Sequence, residues 1–260
     1  MNIKFQKYQG AGNDFIIIDN RDLLYDIPTS MVSQLCNRKF GIGADGLMLL
    51  ENYPGYDFRM RYFNADGNEA SLCGNGSRCI IDFAHQLGLF IQKTRFMAVD
   101  GEHDGEITPT GVRVKMRDVT QVIINKDYFF LNTGSPHYVK IVGDAFQTEV
   151  FKEGKNIRYA PAFGPEGTNV NFITPTPEYI KVATYERGVE DETLACGTGC
   201  VASALAVAIM NKDNCNTYPI QTKGGKLLVS FERTTTNTFT NVWLEGPAQK
   251  VFTGEIEIKG

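Results

Sequence analysis

The sequence predicts an α+β protein of two pseudo-symmetric halves, each a mostly antiparallel sheet wrapped around a central helix. Three observations carry this. Landmarks recur in one order: Gly10 pairs with Gly134 and Gly43 with Gly167 at a spacing of 124, and Cys73 pairs with Cys196 and Gly101 with Gly224 at 123. Offsets that agree within one residue mark an internal duplication. Second, short β-branched and aromatic runs outnumber helix-like segments, so there are too few helices to cross over between every pair of strands and antiparallel pairing must dominate. Third, each half carries one Cys-Gly-x-Gly motif opening into an apolar segment of helical length.

Taken in order, Phe15-Ile-Ile-Ile-Asp19 reads as a strand and residues 28–39 as a helix with Pro28 near its start. Leu47-Met-Leu-Leu-Glu51, Phe58-Arg-Met-Arg-Tyr-Phe63 and Val112-Arg-Val-Lys-Met116 read as further strands between Gly, Asn and Asp turns. The segments after Cys73 and Cys196 supply the central helices. Val201 to Met210 is apolar except for Ser203 and spans about half of what a bilayer requires, so it is expected as a helix buried on all sides. The boundary falls near residues 119–127, giving halves 1–120, with Cys73, and 121–260, with Cys196; the extreme C-terminus is expected to return and pack on the first half. No Pro/Gly-rich linker separates the halves, so close packing is expected.

The chain has 260 residues, 42% apolar and 22% charged, with a formal net charge of −4. Nucleic acid and anionic membranes, which need clustered Lys and Arg, are not expected as partners. A small molecule is, together with a second copy of the chain in a homodimer. The N-terminus shows no apolar secretory core, so a cytoplasmic location and reduced cysteines are expected.

A helix start leaves N–H groups without intrahelical partners and carries a partial positive charge. Two glycines there allow the backbone to form an anion-binding nest, for which a carboxylate is a natural ligand, and the same field favours a thiolate. Two such units in pseudo-symmetric halves suggest helix starts facing one another across a cleft. A carboxylate held by both would present its α-carbon to two sulfurs, one removing the α-proton and the other protonating the opposite face. Taken alone, either cysteine reads as a small buried side chain; repetition at the repeat offset reverses that balance. Cys36, Cys79, Cys200 and Cys215 keep the quiet reading.

Rival motifs are weaker. Gly41-Ile-Gly-Ala-Asp-Gly46 matches a dinucleotide fingerprint literally, but a helix precedes it and a strand follows, the reverse of what that site needs. The cysteine spacings and only three histidines argue against a metal site. His137 lies in the segment that repeats the N-terminal Gly-Asn-Asp stretch and is expected to approach the cleft, a structural histidine being the alternative.

At these residues the chain resembles the diaminopimelate epimerase family. The resemblance runs through Gly10-Ala-Gly-Asn-Asp-Phe15, Gly41-Ile-Gly-Ala-Asp-Gly46, Phe63-Asn-Ala-Asp-Gly67, Cys73-Gly-Asn-Gly-Ser-Arg-Cys79, Gly167-Thr-Asn-Val170, Glu186-Arg-Gly188 and Glu192-Thr-Leu-Ala-Cys-Gly-Thr-Gly199. It implies a cofactor-independent epimerase, with neither organic cofactor nor metal, that interconverts LL- and meso-2,6-diaminopimelate for lysine and peptidoglycan synthesis. The implied acid/base pair is Cys73 and Cys196. Gly74, Asn75, Gly197 and Thr198 would bind the reacting carboxylate, and Asn13 would hold the reacting centre. Asn64, Asn169 and Arg187 would read the distal centre, and His137 and Glu186 would tune the cysteines while Glu186 also lies at the substrate. Proline racemase and hydroxyproline epimerase share the two-cysteine chemistry, and an inactive dicarboxylate-binding protein is the alternative from another class.

Three departures from the family pattern stand out. Ser135 replaces an asparagine in Gly-Asn-Pro-His, Gly46 stands where some members have a glutamine that contacts substrate, and one extra residue between Arg187 and Cys196 is expected to bring Glu190 and Asp191 near the mouth of the site.

Overall fold

A computed structural model describes residues 2–71, 73–211 and 215–257. The chain divides into two compact units, Met1–Val114 with Gly246–Gly260, and Lys115–Glu245.

In the first unit β1 (Asn2–Gly10) turns through Ala11 and Gly12, both at positive φ (54° and 84°), into its antiparallel partner β2 (Asn13–Asp19). Then follow β3 (Gly46–Glu51), β4 (Phe58–Asn64), β5 (Lys93–Ala98), β6 (Gly101–Thr108) and β7 (Gly111–Lys115). The joints β3–β4, β5–β6 and β6–β7 are antiparallel; β2–β3 and β4–β5 are parallel. A parallel joint needs a connection that runs back along the sheet, and here the two helices supply it: α1 (Thr29–Cys36) lies between β2 and β3, and α2 (Gly74–Gln86) between β4 and β5. The last strand, Gln249–Glu257, pairs antiparallel with β1.

Phe15 to Ile18 are fully buried on both faces of the sheet. Ile16 and Ile18 pack with Val32 and Leu35 of α1, while Phe15 lies under the start of α2 beside Gly76. Cover on both faces is why this strand is written as an unbroken apolar run. The helix expected over 28–39 is shorter, because the Asn37 side-chain oxygen accepts Lys39 N at 2.8 Å and Phe40 N at 3.0 Å and draws the chain into a turn.

The second unit repeats the order. After β8 (Val122–Ile124) come β9 (Phe129–Asn132), β10 (Pro136–Ile141), α3 (Val150–Arg158), β11 (Asn169–Pro175), β12 (Ile180–Glu186), β13 (Asp191–Thr193), α4 (Gly197–Asn211), β14 (Thr217–Thr222), β15 (Gly225–Thr235) and β16 (Thr238–Gly246). Its parallel joints, β10–β11 and β12–β14, again bracket the helices, and the other joints within the unit are antiparallel. α4 is buried nearly all round, from Gly199 through Ile209. Burying Val201, Leu205, Val207 and Ile209 contributes about 1.5–3 kcal/mol each. Among the described residues no helix is long and apolar enough to cross a membrane.

Candidate active site

In the first unit Cys73 occupies the N-cap of α2 with extended backbone (φ −98°, ψ 117°). Its carbonyl accepts Ser77 N at 2.7 Å and the Ser77 hydroxyl at 2.9 Å, which starts the helix with Gly74 and Asn75 in its first turn. Beneath this turn lies the wholly buried Arg78, whose guanidinium donates to Gly74 O (3.2 Å), Asn75 Oδ1 (3.0 Å) and Pro247 O (3.4 Å). The turn thus rests on a buried positive charge.

Asn13 reaches Cys73 from β2. Its Nδ2 donates to Asp45 Oδ2 at 2.5 Å, and because a carboxylate only accepts, Oδ1 faces the other way, 3.6 Å from the Cys73 thiol that donates to it. Arg38 pairs with both Asp45 (2.7 Å) and Asp14 (2.6 Å), and Lys7 pairs with Asp14 at 2.6 Å. Burial pushes the Asp14 carboxyl up, but hydrogen bonds from Arg38 and Lys7 bring it down to about 2. The Gly41–Gly46 motif therefore carries the acid that orients Asn13. Asn64 is exposed at the end of β4, opposite Gly46. A Cβ at Gly46 would meet Phe63 O and the Tyr62 ring, both at 2.6 Å, so the backbone of β4 as well as the Tyr62 ring must move before a glutamine fits there.

In the second unit Cys196 stands before α4 in the same way, its carbonyl accepting Cys200 N at 2.9 Å, with Gly197 and Thr198 as the first helical residues. A Cβ at Gly199 would lie 2.3 Å from Asn171 Oδ1, so the second glycine of this motif permits a close approach of helix to strand. Cys196 Sγ is 3.5 Å from Thr198 Oγ1. Burial and the Glu186 carboxylate push this thiol well up, and the Thr198 hydroxyl and Gly199 N–H pull against them.

Glu186 ends β12 and accepts the Thr193 hydroxyl at 2.8 Å. Arg187 N donates to Asn169 Oδ1 at 2.8 Å, and the Arg187 guanidinium lies 3.8 Å from Glu166. Asn169 Nδ2 donates to Ser135 Oγ and Pro136 O, both at 3.0 Å, so this amide is committed to holding Arg187 and Ser135 in place. His137 is wholly buried, with Nε2 3.0 Å from Ser135 Oγ and Nδ1 3.1 Å from Asn171 Nδ2. Burial and the nearby Arg187 charge push it down to about 3, so it is neutral at neutral pH.

Each unit thus gathers a thiol, a glycine-rich helix start and the amide or hydroxyl that touches the sulfur. The Glu190 carboxylate is engaged by Arg158 (3.2 Å), Tyr159 (2.8 Å) and Gly188 N (3.0 Å), while its own N–H donates to Glu186 O at 2.8 Å. One expectation needs correction. Cys215, expected to be buried, is exposed and donates to Thr217 O. Sequence reasoning also missed Arg78, Asp45 and Asn171; for Arg78 the signal available was its position one turn after Gly74, on the buried side of the helix. Among the described residues no group of three or more His, Cys, Asp or Glu is placed to hold a metal ion.

The sequence model of the family described as diaminopimelate epimerase matches residues 5–122 and 129–251. The diaminopimelate epimerase of Flavobacterium psychrophilum is 47% identical over 253 residues, covering 96% of this chain and 98% of that protein. That of Chlorobaculum tepidum is 43% identical, covering 96% and 99%. In fold, the chain is similar to a Bacillus anthracis phenazine biosynthesis protein of the PhzF family (TM-score 0.80, 14% identity, 99% and 100% covered) and to a probable proline racemase from Agrobacterium radiobacter (TM-score 0.70, 14% identity, 99% and 93% covered). The identities to the curated relatives, over nearly the full length of both partners, carry the assignment: the chain belongs to the diaminopimelate epimerase family of amino-acid isomerases.

Proposed function

We propose that the chain interconverts LL- and meso-2,6-diaminopimelate by proton transfer between two cysteines. The observation that supports this is the equivalence of the two helix starts: Ser77 N donates to Cys73 O at 2.7 Å and Cys200 N to Cys196 O at 2.9 Å, so each cysteine stands at the first turn of a helix that opens with Gly-x-Gly. In this reading the reacting carboxylate sits on the N–H groups of Gly74, Asn75, Gly197 and Thr198, which stabilise negative charge as it develops on the enolate. One sulfur, as thiolate, takes the α-proton; the other, as thiol, returns a proton to the opposite face. Electron count and charge balance, because the pair ends with thiolate and thiol exchanged. Either cysteine serves as base, depending on direction.

Asn13, aimed by Asp45, holds the reacting centre. Arg187 takes the distal carboxylate, for which its planar fork is suited, with Asn64 and Asn169 offering donors and acceptors around the distal centre and Asn169 also holding the Arg187 backbone. Glu186 and neutral His137 adjust Cys196. A cytoplasmic setting and a homodimer complete the proposal; exposed Val251 and Phe252 on the last strand support the second, and light scattering on the pure protein tests it.

The deciding experiment is incubation with LL-diaminopimelate in D2O with no added cofactor, followed by NMR. Deuterium at the α-carbon and meso product are expected. Exchange of proline in place of diaminopimelate overturns the substrate, and full activity in Cys73→Ala or Cys196→Ala overturns the two-base mechanism.

A further inference from the structure

We infer that Ser135 is a positioning residue: a one-directional chain of hydrogen bonds running through it turns the Thr198 hydroxyl onto Cys196 Sγ. The consequence for catalysis rests on Cys196 being an acid/base group, as proposed above; the hydrogen-bond direction does not.

The direction follows from counting donors and acceptors. Tyr138 O only accepts and lies 3.0 Å from Asn171 Nδ2, while the Thr184 hydroxyl lies 2.9 Å from Asn171 Oδ1. The amide is therefore fixed with its NH2 toward His137 Nδ1, which must be the bare acceptor, so the neutral ring carries its proton on Nε2. That proton goes to Ser135 Oγ at 3.0 Å. Asn169, fixed by Arg187 N at its oxygen and Pro136 O at its nitrogen, donates to the same Oγ at 3.0 Å. With both lone pairs occupied, Ser135 has only its own proton to give, and Thr198 Oγ1 lies 3.5 Å away. Thr198, accepting from Ser135, then offers its proton to Cys196 Sγ, also at 3.5 Å. Thr133 holds the Thr198 backbone in place by donating to its carbonyl at 2.9 Å.

A serine suits this position because one oxygen accepts twice and donates once. The charged and titratable groups facing Cys196 among the described residues are Glu186 from β12 and Cys200 on α4; both oppose a thiolate, which makes a donor at Sγ consequential. The step from Ser135 to Thr198 is long, so the expected effect is moderate.

The test is the pH dependence of Cys196 alkylation by iodoacetamide in the intact chain, read by peptide mass spectrometry, with Cys73 of the other unit as the internal control. Ser135→Ala is expected to raise the Cys196 midpoint by about half to one pH unit, a threefold to tenfold slowing below the midpoint. Ser135→Thr, which keeps the hydroxyl, should restore it. Thr198→Val should raise the midpoint at least as far, and adding Ser135→Ala to it should change nothing more. An unmoved midpoint in Ser135→Ala, or an undiminished further rise on the Thr198→Val background, overturns the relay. No substrate is used, so failure of the relay and failure of the epimerase proposal are read separately.

Discussion

Protonation of His137 gives the sharpest quantitative test of the second unit. The ring is wholly buried and pushed from about 6.5 down to about 3, first by burial and then by the Arg187 charge. Above pH 6.5 it is neutral in both folded and unfolded chains and has no effect on stability. As pH falls below 6.5 the unfolded chain takes up a proton that the folded chain refuses until about pH 3, so stability is lost across that window at up to ~1.4 kcal/mol per pH unit. Between pH 7 and pH 5 the loss is about 2 kcal/mol, and over the full window about 5 kcal/mol. The Asp14 carboxyl, held down to about 2, loses its stabilising contribution as pH falls from its unfolded value near 3.8, so it overlaps the lower end of this window but not the range from pH 7 to pH 5. Trp243, the only tryptophan, lies in β16 of the same unit and reports its unfolding by fluorescence. Urea titrations of the wild type and His137→Gln at pH 7, 6 and 5 should give free-energy differences that converge by about 2 kcal/mol as pH falls, the variant losing less. Parallel curves for the two proteins would refute a histidine kept neutral by burial.

Three further outcomes follow from contacts in the two units. Gly199→Ala places a methyl 2.3 Å from Asn171 Oδ1 and should cost about 1–3 kcal/mol by Trp243-monitored urea unfolding; an unchanged midpoint tells against the close approach. Asp45→Ala removes the acceptor that orients Asn13 and should raise KM for diaminopimelate about tenfold, the loss expected of a hydrogen bond to a charged group, and an unaltered KM removes Asn13 from the site. Arg78→Met strips the support from Gly74 O, Asn75 Oδ1 and Pro247 O, and should cost about 1–3 kcal/mol of local stability, seen as faster amide exchange at the start of α2; wild-type exchange there would show that the guanidinium is dispensable.

How far the fold and site were legible depends on whether a feature is local. The repeat was visible because helix starts and tight turns admit few residue types: a Cβ at Gly199 would lie 2.3 Å from Asn171 Oδ1, and one at Gly76 would press on Met48 at 3.2 Å and Phe15 at 3.3 Å, so each half favours a small residue at its second glycine. The mostly antiparallel pairing was legible for a similar reason, since the four helices account one by one for the four parallel joints within the units. What stayed hidden are partnerships between residues distant in sequence and near in space: Asn13 with Asp45, His137 with Asn171, Ser135 with Thr198. Hydrophobic periodicity reports which face a residue occupies, not which polar group it meets there. Arg78 shows the limit most clearly. A charged residue on a helix is ordinarily expected in water, yet this one is buried with its fork turned back on the first turn of its own helix and on Pro247, which the chain supplies 169 residues later. The glycine motif names the nest; the residue that keeps the nest in shape is recognisable only once the returning strand is in place.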